Sequence, residues 1–387
     1  MIPIKYNYRN LVVRKTTTIA AAFGLALVVF VFSAAQMLGN GIRKTLGRSA
    51  SADTAIILRK GASTEMESGI EENQVNLVIA QAQQVGASKK PPGIGELLVV
   101  ILMDKVGTTG VSNVSVRGVS DEVMAFRTTA KIIEGRAAKP GTDEVIVGKG
   151  IRGRFKGLEL NESFEIKKNR KVSVVGVFSD DGSSFESEVW ADAHTVKTGF
   201  GREGNVSSIR VRLDAASKFD AFKALVEQNR QLGLQVMRES EYYVKQSEQT
   251  ADFLTIMGTI IAVLFSLGAM IGAMITMNAQ VASRQREIGT LRALGFSRSG
   301  ILVSFLMESL VLALIGGGVG AAAALLLSFV KLTMLNFNTW AEIVFSFEPT
   351  PDIIVKAMIM AAFMGVVGGF LPAWRAARVS PIEAMRG

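Results

Sequence analysis

The 387-residue chain is 49% hydrophobic and 20% charged, with one histidine, no cysteine and a formal charge of +9 from 43 Lys and Arg against 34 Asp and Glu. The lack of cysteine excludes a disulfide framework, a lipid-modified cysteine and a Cys–His nucleophile, and His194 alone cannot build a zinc cluster. Residues 39–250 hold 30 basic and 27 acidic groups, so the basic surplus lies mainly around apolar runs and speaks of topology rather than nucleic-acid binding.

From the N-terminus, residues 1–16 carry Lys5, Arg9, Arg14 and Lys15 with no acid. The run Thr17 to Leu38 has no charge and exceeds the roughly 20 residues that a helix rising about 1.5 Å per residue needs to cross about 30 Å of hydrocarbon. Ser33-Ala34-Ala35 imitates a signal-cleavage site, but the apolar region is longer than the roughly 7–15 residues of a signal sequence. A retained first span over 17–38 is expected.

Residues 39–250 are polar and long enough for one core or two small ones. Alternation and turn residues predict strands at Leu97 to Met103, Val111 to Val119, Glu144 to Val147, Ser163 to Ile166, Val172 to Phe178, Ser187 to Trp190 and Ser207 to Leu213. Helical spacing runs through Phe219, Phe222, Leu225 and Val226, and around Val75 to Gln84. Ser88 to Gly95 reads as an internal loop, and Gly39 to Leu46 and Glu239 to Gln249 as helical extensions of the flanking spans, forming a stalk. Gly148-x-Gly150-x-x-Gly153 formally matches a dinucleotide fingerprint. No clear helix follows it and no acid stands about 20 residues on, so a plain turn is the better reading. His194 is expected to be a surface or satisfied structural residue.

Three further spans, 251–278, 301–330 and 351–374, contain the runs Phe253 to Asn278, Ile301 to Val330 and Ile353 to Trp374, whose only charges are Glu308 and Lys356. Between the second and third, residues 279–300 hold Arg284, Arg286, Arg292 and Arg298 against Glu287. The tail, 375–387, holds Arg375, Arg378 and Arg386 against Glu383, whereas the short loop 331–350 has Lys331 against Glu342 and Glu348. Basic residues near span ends are retained in the cytoplasm. Both termini and 279–300 are therefore expected to be cytoplasmic, and 39–250 and 331–350 outside. The fold expected is a membrane protein of four transmembrane α-helices, one plus three, with a large α+β extracytoplasmic domain between the first and second.

Gly268 and Gly272, Gly316 and Gly320, and Gly365 and Gly369 each stand four apart, a spacing that lets helix backbones approach closely in lipid. They are expected to pack a tight bundle between two subunits. Glu308, two turns into the third span, is a candidate intramembrane polar site, with a structural bond to Ser304 or a neighbouring helix the competing role.

Within 279–300, Ile288 and Leu291 share a helical face with Val281 and Leu294 nearby, and Gly295 is placed to end the helix in the left-handed region. Such a helix between spans could lie on headgroups or plug into a cytoplasmic partner. The segment Arg286-Glu287-Ile288-Gly289-Thr290-Leu291-Arg292-Ala293-Leu294-Gly295 resembles the coupling element of the FtsX/MacB-like ABC permeases. The stretch from Pro372 to Arg386 resembles the tail motif of the same family, and Gly135-Arg136, Glu144 to Gly148 and Phe155 to Leu160 are similar, less specifically, to its outer domain.

The resemblance implies the transmembrane subunit of a type VII ABC system in a bacterial inner membrane. It implies partnership with a cytoplasmic ATPase dimer, a second permease protomer (identical or paralogous), a periplasmic adaptor or envelope partner, and membrane lipid, with no nucleic acid. On this analogy Arg286, Glu287, Ile288, Gly289, Leu291, Arg292, Leu294 and Gly295 contact the ATPase. The sequence has no G-x-x-x-x-G-K-[ST] phosphate loop, so ATP and Mg are expected on a separate ATPase, and this chain is expected to have no catalytic, cofactor or metal site. Two function classes follow: export of a hydrophobic, lipid-like or lipoprotein substrate, as in MacB-like and LolC-like systems, or FtsX-like force transmission to an envelope enzyme. The size of residues 39–250 favours export, and no motif there names a substrate.

Overall fold

A computed structural model of the chain describes residues 15–229, 231–336 and 339–380. The expectations attached to Lys5, Arg9 and Arg14 and to the tail from Pro381 to Arg386 lie outside the described residues. The chain divides into two compact units, a helical one drawn from residues up to Gly41, Ala251–Val330 and Ser346 onward, and a sheet domain of Ile42–Thr250 with Lys331–Phe345.

Among the described residues, four helices are long and apolar enough to cross a membrane: α1 (Lys15–Gly47), α5 (Glu239–Ser283), α7 (Arg298–Leu326) and α8 (Pro351–Ala377). A short helix, α6 (Gln285–Ala293), joins α5 to α7. The packing is that of a chain whose solvent is hydrocarbon. Large apolar side chains such as Phe253, Ile260, Leu264 and Ile275 of α5 and Ile359 and Phe363 of α8 face outward, and small residues face one another. A Cβ on Gly316 would stand 2.6 Å from the Ala22 carbonyl oxygen, and one on Gly320 would collide with that of Ala26, so α1 lies directly on α7. On another side of α7, a Cβ on Gly317 would stand 2.6 Å from the Ala361 methyl, and one on Gly365 2.5 Å from that of Ala313 and 3.0 Å from the Ser309 carbonyl oxygen. A Cβ on Gly369 would meet the Ser309 side chain.

Those four glycines, Gly316, Gly320, Gly365 and Gly369, therefore make contacts inside one chain, which corrects the expectation that they pack two subunits. Gly268 and Gly272 differ, having nothing within 4 Å of an added Cβ.

The sheet domain contains, in chain order, β1 (Thr54–Arg59), β2 (Ile70–Glu71), α2 (Glu72–Val85), β3 (Gly93–Asp104), β4 (Val111–Val119), β5 (Lys131–Gly135), β6 (Glu144–Gly148), β7 (Ser163–Lys167), β8 (Arg170–Ser179), β9 (Glu188–Asp192), α3 (Ala193–Phe200), β10 (Asn205–Val206), β11 (Ser208–Arg212), α4 (Phe219–Gln228) and β12 (Leu234–Arg238). Ten strands form one sheet in the order β12-β1-β11-β3-β4-β9-β6-β8-β5, with β7 on β8. The β4–β9 and β6–β8 pairs are parallel and the other pairs antiparallel.

Two cores form on this sheet. One gathers Val99, Val116, Val147, Phe155, Leu158, Val174 and Val189 under α3, the other Ile57, Val78, Val211, Phe222, Val226 and Val236 under α2 and α4. Gly93–Gly95, expected in a loop, instead begin β3 opposite Val211–Ile209. Lacking side chains, Gly93 and Gly95 leave room for Ile79 and Val75 of α2, which would stand 3.0 and 3.2 Å from Cβ atoms there.

Residues 331–345 are likewise more than a connecting loop. Strands β13 (Lys331–Leu335) and β14 (Glu342–Ser346) make a hairpin, fixed to the sheet domain by an ion pair between Lys105 and Glu342. The Asn113 side chain donates to the Trp340 carbonyl at 2.6 Å, and the Val344 N–H donates to Ser187 Oγ at 2.9 Å.

Candidate functional site

The helix α6 is nine residues long, too short to be stable alone in water, so its place depends on what holds it. Its C-terminal end is fixed by a Schellman motif. Gly295, at φ +94°, donates its N–H to the Arg292 carbonyl at 3.2 Å, and Phe296 donates to the Leu291 carbonyl at 3.1 Å. The next helix begins two residues on, where Ser297 Oγ accepts from the Gly300 N–H at 3.1 Å.

The inner face of α6 is Ile288 and Gly289, both buried. Ile288 packs in a cluster with Met277 and Val281 of α5, Ile301 and Phe305 of α7, and Ala373, Ala376 and Ala377 of α8. This corrects two of the expected partner contacts: an apolar residue facing the chain's own helices has no surface left for a second protein. Arg286, Glu287, Leu294 and Gly295 are exposed, and Leu291 and Arg292 half-buried. Leu294 is 72% exposed, a large apolar side chain on the outward end of the helix.

Glu308 is buried, and Arg284 Nη1 donates to its Oε2 at 3.1 Å. Its carboxylate is thus held by a cation from the junction preceding α6, a partner that sequence reading missed because an arginine in a loop reads as solvated.

The largest polar feature was not foreseen. In the sheet domain Arg117 (β4), Arg210 (β11) and Arg127 are buried among Glu65, Glu96 (β3), Glu188 (β9) and Glu239, the first residue of α5. Arg117 donates to Glu188 Oε2 at 2.7 Å and to Glu65 Oε1 and Glu96 Oε2 at 2.9 Å. Arg210 donates to Glu65 Oε1 at 3.0 Å, to Glu239 Oε1 at 2.9 Å and to Glu96. Arg127 bonds Glu96 at 3.0 Å and stacks 3.9 Å from the centre of the Phe185 ring. The next turn of α5 adds Tyr242, whose hydroxyl accepts from the Glu65 N–H, and Tyr243, 3.4 Å from Arg210 Nη2.

Burial alone would push the Glu65 and Glu96 carboxyls up. Arg117 and Arg210 hold Glu65 well below the usual carboxylate range, and Arg127, Arg210 and Arg117 bring Glu96 to about 2. Burial also pushes both tyrosine hydroxyls up. Each acid is compensated by arginine, and no group of three or more His, Cys, Asp or Glu is arranged to hold a metal among the described residues.

Gly148 and Gly150 do not cradle a ligand. Their backbone lies against that of Glu186, leaving no room for a Cβ on Gly148, and turns rather than a helix follow. His194 is exposed, its N–H capped by Asp192 at 2.8 Å.

Comparison with known families accounts for nearly the whole architecture. The family model for the MacB-like periplasmic core domain matches residues 16–229, and that for the C-terminal part of FtsX-like permeases matches residues 259–381. The chain belongs to the MacB/FtsX-like permease family. Among curated relatives of this permease, the macrolide export ATP-binding/permease protein MacB of Hahella chejuensis is 33% identical over 226 residues, 55% of this chain and 33% of that protein. MacB of Burkholderia thailandensis is 29% identical over 291 residues, 70% of this chain and 43% of that protein. The permease chain thus spans between a third and about two-fifths of the length of these relatives. Among solved structures, the periplasmic region of MacB from Actinobacillus actinomycetemcomitans covers 52% of this chain and 95% of its own length, at 16% identity and a TM-score of 0.38.

Proposed function

We propose that this permease is the membrane-spanning part of an ATP-driven exporter, in which α6 takes up motion from a cytoplasmic ATP-hydrolysing partner and α5 passes it to the sheet domain. The observation that carries the reading is α5 itself. It is one unbroken helix, Glu239–Ser283, whose first residues enter the buried Arg–Glu cluster and whose end abuts α6. A helix continuous over that length offers a path for displacement that a flexible linker would not.

ATP and Mg would be bound by the partner, leaving this chain without a catalytic role. The positive-inside distribution supports cytoplasmic termini and an inner-membrane location. The unpartnered Gly268 and Gly272 support pairing with a second protomer. A hydrophobic, lipid-like or lipoprotein cargo, handed to a periplasmic adaptor, is the substrate class, and the macrolide export named for the relatives fits its hydrophobic end.

The test is affinity purification of the tagged chain from native membranes beside a Glu287→Arg/Leu294→Asp variant. An ATPase that arrives with wild type and is lost with the variant supports the reading, and a co-purifying adaptor points to export. A co-purifying cell-wall hydrolase would instead favour FtsX-like force transmission. Recovery of the ATPase regardless of the substitutions would remove α6 from the interface.

A further inference from the structure

Arg284 stands where α5 ends and α6 begins. Its backbone, at φ −118° and ψ 14°, leaves the helical path for one residue, so the two helices are joined at a break rather than fused. At such a junction a long basic side chain is ordinarily exposed, as those of the neighbouring Arg286 and Arg298 are. Arg284 does the opposite. Its side chain is 7% exposed and that of Glu308 is 5% exposed.

Nη1 spans both Glu308 oxygens, at 3.1 and 3.5 Å, and Nε donates to Glu287 Oε2, in the first turn of α6, at 3.3 Å. The guanidinium carbon lies 5.1 Å from the centre of the Phe305 ring of α7. One cation thus touches α6 and α7 from the end of α5.

Withdrawing both charges from water is costly, so the pair is a poor source of net stability, but its geometry is directional. Ile288 supplies α6 with apolar contact, and apolar contact does not fix rotation or register. The planar guanidinium, held between two carboxylates, does.

We propose that Arg284 and Glu308 are positioning residues that hold α6 in one register on α7, so that load on its exposed face enters the spans instead of being lost at the Arg284 break. The functional part of this inference rests on the coupling role proposed above. The placement of α6 can be tested without any partner.

Because the chain has no cysteine, a single nitroxide can be attached at Thr290→Cys, on the exposed side of α6, in the full chain in lipid bilayers. A second label at Lys171→Cys, exposed on β8, reports separately on the sheet domain. Arg284→Met and Glu308→Gln should each raise the mobile fraction of the Thr290 label by about twofold, the low end of coupling between contacting residues, and leave the Lys171 label unchanged. The exchange Arg284→Glu/Glu308→Arg should restore part of the order, since it re-forms the pair between the two helices but sets a carboxylate against Glu287.

Unchanged mobility in both single variants overturns the proposal. Should the exchange fail to restore order, adding Glu287→Gln to the exchanged chain decides, because it removes the carboxylate that the exchange sets against another: order regained upholds the charge pairing, and order still lost overturns it. Where an ATPase co-purifies, its stimulation should follow the label. Its absence would refute the coupling reading and leave the result on α6 standing.

Discussion

Replacing Arg210 by methionine keeps most of the side-chain volume and removes the cation that Glu65, Glu96 and Glu239 share. Arg117 and Arg127 would then face four buried glutamates. Removing one member of a buried ionic group costs about 3–5 kcal/mol, because the remaining charges stay desolvated and lose their partner. A sheet domain of this size should unfold in urea with a slope near 3 kcal/mol per molar, so the midpoint should fall by about 1–2 M. Trp190 is the natural reporter. It is fully buried, stacks 4.2 Å from Phe178, and its indole N–H bonds Glu188 at 3.1 Å. With Trp340 and Trp374 replaced by phenylalanine, its fluorescence follows this domain alone in the full chain in mild detergent. Glu72→Ala serves as reference, since it breaks a half-exposed pair with Lys197 and should cost under about 1 kcal/mol. If Arg210→Met shifts the midpoint no more than that reference does, the buried glutamates do not depend on Arg210 for compensation.

Three further outcomes are expected. Glu96, held at about 2 in the folded state against an ordinary 4.5, contributes stability that is fully present above pH 4.5 and is lost as pH falls towards 2. The urea midpoint should therefore decline across that window, and less steeply in Arg210→Met. Gly320→Leu should break the contact with the Ala26 carbonyl and disrupt the bundle, seen as aggregation on size-exclusion chromatography, while Gly268→Leu should leave the isolated chain intact and alter only its cross-linking to a second copy. Ile288→Ala should lower the thermal stability of the helical unit by about 2–5 kcal/mol, whereas Leu294→Ala, at an exposed site, should stay within about 0.5 kcal/mol and instead weaken capture of the ATPase.

The spans were legible because an uncharged run of more than about 20 residues has few other physical uses. The strands from β3 to β11 that alternate cleanly, such as Val111–Val119, were legible for a similar reason. Strands β1, β5 and β12 escaped although they are no shorter than β6, β7, β9 or β11; in β1 the continuous apolar run Ala55–Leu58, buried throughout, shows no alternation to read. The ionic cluster was hidden by the same alternation that revealed its strands. In β4, Arg117 occupies the phase of a solvent-facing residue, and period two cannot say whether that second face meets water or, as here, Glu239, Tyr242 and Tyr243. The useful clue was the occurrence of both signs of charge within apolar strands, Glu96 and Glu188 against Arg117 and Arg210. On α6, the Gly295 stop was readable from residue type. The inward turn of Arg284 was not, since its partner Glu308 lies 24 positions away on another helix.

The hairpin of residues 331–345 makes the sheet domain discontinuous in the gene. A fragment cut from 42 to 250 would carry every strand of the large sheet and still lack a wall: Lys105 would lose its acid, Ser187 its donor, and the core its Val344 neighbour. Exchange of this domain between relatives would therefore succeed only when two distant stretches of sequence travel together, which ties the inheritance of the large insertion to that of the short turn between the last two spans.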